Sequence, residues 1–378
     1  MRQLLRLVLI NTAVFLGLVA VGAVAFVLMP SPGAEDTRTG KAALPNYDDS
    51  DWAQQLFMEA RGQSEVYYSY VGWRRRPYTG EMVNVVGEYG ERLTVQGSNP
   101  KDRTVFFFGG STMWGTGSRD VDTIPSQFAI KSGLKARNFG ETAYTAHQSL
   151  EMLIKLLQNG ERPAAIVFYD GVNEVAHKCR AELGAYSDAR EVQTRLAVEP
   201  SGAYRFFWGV IGKLSTLFSG QRAAETYDCD DNPGKAAAIA NALVSDWKIA
   251  AAVAELHNIP FYAALQPVIY FSRTRTDHLS IDLDDEFAAQ YQTVYPKVRT
   301  LLAGTPFLDF TDTFDVDQFI YIDFCHVSPN GNEIIAARFA ELVAPDVLAD
   351  PVDPAAAPLA AQTPGWGNPA TLAPAVPR

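Results

Sequence analysis

Apolar and polar positions along the chain fall into blocks that alternate between two periods. Continuous apolar runs at Val105-Phe106-Phe107-Phe108, Ala164-Ala165-Ile166-Val167-Phe168-Tyr169, Pro260-Phe261-Tyr262-Ala263-Ala264-Leu265 and Phe307-Leu308-Asp309 predict strands buried on both faces, with a further short strand at Ala136-Arg137-Asn138. Between these runs apolar residues recur every three or four positions. Leu150, Leu153, Ile154 and Leu157 stripe a helix from His147 to Asn159, and Ile239, Leu243, Trp247, Ala250 and Ala254 stripe one from Lys235 to Leu256. Helices are also expected at Ile124 to Ile130, with Pro125 in the first turn, and at Leu283 to Leu302, with a break near Pro296. A last helix follows Ser328-Pro329, with Ile335, Phe339 and Leu342 expected to face inward. Strand and helix alternate from residue 104 to about 345, which predicts an α/β class: a three-layer α/β/α sandwich around a central parallel sheet.

The flanks of this region have a different texture. Leu7 to Met29 carries no charged side chain and is long enough to cross a hydrocarbon core. Arg2 and Arg6 precede it and Glu35 and Asp36 follow it, which places the amino terminus in the cytoplasm and the rest outside, as a single-pass inner-membrane protein with a periplasmic domain. The alternative is a cleaved signal peptide with its site at Ala23-Val24-Ala25; apolar residues continue through Phe26-Val27-Leu28-Met29, favouring a retained anchor over 1–29. Residues 30–44, with Pro30, Pro32 and Gly33, read as a linker. A lead-in over 45–102 has short strand-like stretches around Gly87, Gly90 and Gly97. Its Arg74-Arg75-Arg76 run leaves two readings open, contact with an anionic glycan or lipid head group, or a solvated sheet edge. The main domain spans 103–346, interrupted by an insertion at about 175–234 that is too long for an ordinary connection. The insertion's aromatic stretch, Tyr204 to Trp208 and on to Phe218, suits a groove wall, a membrane surface or a helix under its own loop. Residues 347–378 are mostly Ala, Pro and small residues, and are expected to be a disordered tail.

The net charge of −11 excludes a nucleic-acid binder, which needs a concentrated excess of Lys and Arg. An extracytoplasmic location lets cysteines oxidise. Cys179 and Cys229 share the insertion and are the expected disulfide, closing a loop of about 50 residues that stabilises by roughly 4 kcal/mol if unstrained. Cys325 is left free, as a small buried apolar residue. No spacing of His, Cys and carboxylates suggests a metal, and no cofactor motif is present.

Candidate chemistry begins where the first buried run stops at Gly109-Gly110 and hands over to Ser111. A serine just past the carboxyl end of a strand stands where open α/β sheets bind ligands, so it reads either as a nucleophile or as a helix N-cap. Asp323-Phe324-Cys325-His326, just before the last helix, adds a carboxylate and an imidazole three residues apart. Together these are the parts of acyl transfer: a nucleophile, a histidine that takes its proton, and a carboxylate that orients the histidine. His147 and His177 read as structural or rim residues.

Four blocks in order, Gly109-Gly110-Ser111-Thr112, Asn138-Phe139-Gly140, Gly171-Val172-Asn173-Glu174 and Asp323-Phe324-Cys325-His326, resemble the SGNH branch of the GDSL hydrolases. The resemblance covers residues 104 to about 345 and implies a flavodoxin-like sheet order. It further implies Ser111 as nucleophile, His326 as base and Asp323 as its partner. The backbone N–H of Ser111 and of Gly140 and the side-chain amide of Asn173 would form the oxyanion hole. The chain departs from the family pattern at Gly110 and Glu174, where an aspartate is usual, and at Tyr144, near the place of a second glycine. The expected function is an extracytoplasmic serine esterase acting on acyl groups, O-acetyl among them, of an envelope or exported polysaccharide or another small ester. The alternatives are an O-acyltransferase with the same triad, needing a membrane partner to supply the acyl donor, and a non-catalytic glycan-binding or scaffold protein.

Overall fold

The computed structural model describes residues 40–61, 63–188 and 225–349, together with isolated positions between 6 and 22. Most of the proposed anchor, the Tyr204 to Phe218 aromatics and residues 350–378 therefore lie outside the described residues.

The lead-in contains helix α1 (Ala53–Arg61), a separate hairpin of β1 (Glu65–Tyr68) and β2 (Gly72–Arg75), and the short strands β3 (Tyr78–Thr79), β4 (Asn84–Val86) and β5 (Glu91–Arg92). Then follow β6 (Lys101–Gly109), α2 (Ser111–Trp114), α3 (Ile124–Ser132), β7 (Leu134–Asn138), α4 (Ala146–Gln158), β8 (Ala165–Asp170) and α5 (Val172–Lys178). The rest is α6 (Pro233–Glu255), β9 (Phe261–Leu265), α7 (Glu286–Leu302), β10 (Leu308–Asp309) and α8 (Pro329–Ala349).

One sheet runs β10-β9-β8-β6-β7-β5-β4-β3. Its first five strands are mutually parallel and in the flavodoxin-like order, so the chain turns back across the sheet beside β6. The expectation of a parallel sheet needs a correction. β5 pairs antiparallel with β7, and β4 and β3 continue the sheet antiparallel because the few residues between β3, β4 and β5 allow only hairpin connections.

Alternation along β6 fills both outer layers. Phe106 and Phe108 join Ile166, Phe168, Ala263 and Leu265 on the face covered by α4, α6 and α7. Val105 and Phe107 join Val167, Tyr169 and Ala264 on the face covered by α3 and α8. Helix α6 is the one described helix long and apolar enough to span a membrane; here Ile239, Leu243, Trp247, Ala250 and Ala254 lie fully or almost fully buried against the sheet and its neighbouring helices. In α8, Ile335 and Phe339 face inward as expected, but Leu342 is 37% exposed and Val343 is buried. The stripe steps by four residues from 335 to 339 to 343, and position 342 turns about 100° off it. Helix α8 also runs to Ala349 with Val347 buried, past the expected boundary at 346.

Neither reading of the arginine run holds for Arg74, which is 1% exposed. Its guanidinium donates to the carbonyls of Tyr89 (2.8 Å), Phe139 (2.8 Å) and Gly90 (2.9 Å), clamping the lead-in onto the loop after β7. The lead-in is otherwise tied down by Glu59, whose carboxylate accepts the N–H groups of Glu81, Met82 and Val83 at 2.9–3.0 Å.

Candidate active site

The site is built at the carboxyl edge of the parallel strands, beside the crossover point. β6 ends at Gly109, where a Cβ would stand 2.4 Å from the carbonyl oxygen of Tyr169, so the strand must close on glycine. Ser111 is the first residue of α2, and its N–H has no intrahelical acceptor. Its Oγ lies 2.6 Å from His326 Nε2, and His326 Nδ1 lies 2.7 Å from Asp323 Oδ2. The structure thus brings Ser111 together with a pair of residues more than two hundred positions further on.

The Asp323 loop is closed by the bridge between Tyr321 and Val327 and by Ile322 N–H on the carbonyl of His326 (2.9 Å). Inside it, Asp323 Oδ1 accepts the N–H of Cys325 (3.0 Å) and of His326 (2.7 Å), which fixes the carboxylate relative to the imidazole. Lys41 Nζ, from a 3₁₀ turn at Lys41–Ala43, donates to the other oxygen, Oδ2. Burial pushes the Asp323 carboxyl up, but His326 and Lys41 outweigh it and hold the group well below the ordinary carboxylate range. Burial raises the Cys325 thiol well above its ordinary value, with Asp323 adding to the effect, so it stays protonated.

Asn173, in the first turn of α5, is held by its Nδ2 on the carbonyl of Tyr144 (2.7 Å). The amide stands against Gly110, where a Cβ would lie 2.5 Å from Asn173 Nδ2. A side chain at Gly110 would therefore push the amide from this place. Glu174 caps α5 by accepting Gly171 N–H (3.0 Å) and also accepts Ala146 N–H (2.6 Å), tying the β8 turn to the start of α4.

Gly140 departs from its expected role. Its N–H donates to Asn138 Oδ1 (3.0 Å), and a Cβ there would stand 2.6 Å from the backbone nitrogen of Trp114. It is a packing glycine. Three residues on, Ala143 lines the same groove as Ser111, Asn173 and His326, has φ 64°, and its N–H meets no acceptor among the described residues. A left-handed alanine is strained, and such strain persists where the surroundings dictate it. Nothing in the sequence signals it, since alanine carries no preference for that conformation.

Gln266, at the end of β9, was also not singled out. Its Nε2 donates to Thr112 Oγ1 (2.7 Å) and to the carbonyl of Cys325 (3.3 Å), joining the nucleophile turn to the histidine loop. His147 pairs with Asp246 at 3.2 Å, and its side chain is 59% exposed. His177 lines the groove.

The groove has a volume of about 690 Å³ and runs from Phe57 on α1 past Ser111 to Tyr227 and Phe287. Cys179 and Cys229 are joined as a disulfide, as expected, holding Tyr227 beside Arg180 through an antiparallel bridge; Cys325 is free and buried.

No family model matches the chain. No curated protein matches it either. Among solved structures it is similar to a member of the lipolytic protein G-D-S-L family from Veillonella parvula (10% identity over 64% of this chain and 98% of that one, TM-score 0.38). It is similar also to a GDSL-like lipase from Bacteroides thetaiotaomicron (15%, 65% and 90%, TM-score 0.36). A third is an acetyl xylan esterase from the rumen bacterium Butyrivibrio proteoclasticus (10%, 66% and 64%, TM-score 0.33). Likenesses this distant assign neither family nor activity, and the functional reading rests on the side chains described above.

Proposed function

We propose that the chain is a serine esterase that removes acyl groups, O-acetyl among them, from an envelope or exported polysaccharide. The observation that carries this reading is Ser111 Oγ held 2.6 Å from His326 Nε2, with Asp323 on the far side of the ring. His326 takes the Ser111 proton as Oγ attacks the acyl carbon, and the imidazolium is stabilised by Asp323. The N–H groups of Ser111 and Ala143 and the Asn173 amide meet the oxyanion, with Ala143 in the place first given to Gly140. His326 gives its proton to the sugar oxygen as the C–O bond breaks, and water, activated by the same imidazole, then releases the acid from Ser111. The groove is lined by aromatic Phe57, Tyr227 and Phe287 together with Glu65, Arg75 and Arg180, a lining suited to sugar rings with their hydroxyls.

The same reading places the domain outside the cytoplasm on an anchor over 1–29. The disulfide and the charge asymmetry around Leu7 to Met29 support it. So do Ile10, Val14, Phe15, Leu18 and Val21, each more than half exposed. A protease-accessibility assay on spheroplasts should degrade the domain; protection would refute the topology.

The activity test uses the full chain with an aryl acetate and with acetylated envelope polysaccharide. Acetate release is expected, lowered at least about 10⁴-fold in Ser111→Ala with its fold retained. Equal turnover by that variant refutes the reading. Appearance of the acyl group on a second glycan, with no free acid, would reassign the reaction as transfer.

A further inference from the structure

Residues 41–57 form a strap across the loops that carry the triad. Tyr47, Ala53 and Phe57 pack on Ile322, the residue before Asp323, with Ala42, Leu44 and Trp52 around them. Asn46 Nδ2 donates to the carbonyls of Phe319 (2.7 Å) and Tyr321 (3.3 Å). Tyr47 Oη donates to the carbonyl of Gly117 (2.7 Å), in the turn that follows the nucleophile helix. The strap thus touches both halves of the site, and at its start Lys41 bonds the triad carboxylate.

This contact is more than a fastening. Asp323 already holds its orientation through two backbone N–H groups and the imidazole, so an ammonium is superfluous for geometry alone. Its charge is what differs. Among the described residues, Cys325, Tyr47 and Tyr270 are titratable groups that also feel Asp323, and Ser111 is the other partner of His326. Burial keeps the thiol and both tyrosines protonated, so they carry no charge at neutral pH. Lys41 is the only lysine or arginine paired with Asp323 among the described residues. A carboxylate facing a lone imidazole stabilises the imidazolium fully, whereas one shared with an ammonium stabilises it less. An imidazolium that is stabilised less gives up its proton more readily.

We infer that Lys41 is a positioning residue of the triad: by sharing the Asp323 carboxylate with His326, it extends the working range of the base toward acid pH. The inference rests on the esterase reading for its kinetic arm only, since the imidazole's titration can be read without substrate.

The test compares Lys41→Met, Lys41→Gln, Lys41→Arg and Tyr47→Phe with the unmodified full chain in detergent. Two midpoints are measured, the acid limb of kcat/KM against pH and the titration of His326 by NMR, assigned with a His326→Gln sample. Lys41→Met and Lys41→Gln are expected to move both midpoints up by about one pH unit, which lowers the rate about tenfold below the original midpoint. Lys41→Arg, which keeps the charge, should leave them within about 0.3 unit. Glutamine can still donate to the carboxylate, so it separates charge from hydrogen bonding and serves if the methionine variant does not fold. Tyr47→Phe loosens the strap without touching charge and should lower Tm while leaving both midpoints in place. Unmoved midpoints in folded Lys41→Gln overturn the inference, as does a Tyr47→Phe shift as large as that of the lysine variants. Should the unmodified chain hydrolyse no ester, the esterase reading fails, and the NMR midpoints alone still decide the role of Lys41.

Discussion

Two aspartates, Asp170 buried and Asp323 half-buried, stand at the carboxyl edge of the same sheet, and the molecule treats them in opposite ways. Asp323, in the loop before α8, is met by the imidazole of His326, the ammonium of Lys41 and two backbone N–H groups, and is held ionised. Asp170, the last residue of β8, is met by the indole N–H of Trp247 (3.1 Å) and the hydroxyl of Ser149 (3.4 Å). Burial and the nearby Glu174 push its carboxyl well above the ordinary range, and the two neutral donors do not offset them. Burial raises both carboxyls, and the charge of the partners decides which of them is offset. Asp323 serves the imidazole, while Asp170 sits under the turn that carries Asn173.

Asp323→Asn is the strongest way to break this contrast. It leaves a side chain of the same shape that no longer stabilises the imidazolium or fixes its tautomer, and the rate should fall about 10³–10⁴-fold in an ester assay. Asn173→Ala tests the other region's share in the chemistry. It should lower kcat by roughly 10²–10³ with little change in KM, because the amide is aimed at charge that develops during reaction. A destabilised but fully active variant would make Asn173 only a turn residue.

The same aspartate-to-asparagine change should have opposite effects on stability in the two regions. The folded-state pKa of Asp323 is depressed, so its contribution is present above the unfolded value near 4 and lost as pH falls below it. Asp323→Asn should therefore lower Tm at neutral pH, with the difference closing below about pH 4. The folded-state pKa of Asp170 is raised, so its stabilising contribution is full below about 4 and lost as pH rises through the folded value. Asp170→Asn should raise Tm at about pH 8 by roughly 2–4 °C, the shift for about 1 kcal/mol in a domain of this size, and by less at about pH 5. Calorimetry of both variants across pH checks the pair, and shifts of the same sign would dissolve the contrast. The smallest effect expected is that of Cys325→Ala. The buried thiol, 3.7 Å from His326 Nδ1, is protonated and off the reaction path, so turnover should stay within about twofold.

Much of the scaffold is determined by the sequence locally. Apolar runs such as Val105 to Phe108 can only be satisfied inside a covered sheet, and the stripe from Ile239 to Ala254 can only be satisfied against one, so the layers follow from burial alone. Ser111, Asp323 and His326 were legible because turn chemistry confines them: a serine after two glycines, and an aspartate whose short side chain reaches backbone N–H groups two and three residues on. What only the tertiary structure decided depends on partners distant in the chain. Arg74 reads as a surface cation until three carbonyls, two at the lead-in's own turn and one from beyond β7, surround it. The packing of Gly140 against Trp114, its N–H on Asn138 and the left-handed backbone of Ala143 are set by how two loops meet. Lys41 lies 282 residues from Asp323, and no local pattern marks a lysine that will complete a carboxylate's shell. Periodicity records which side of an element is buried; it carries no record of which charges will meet once burial brings the elements together.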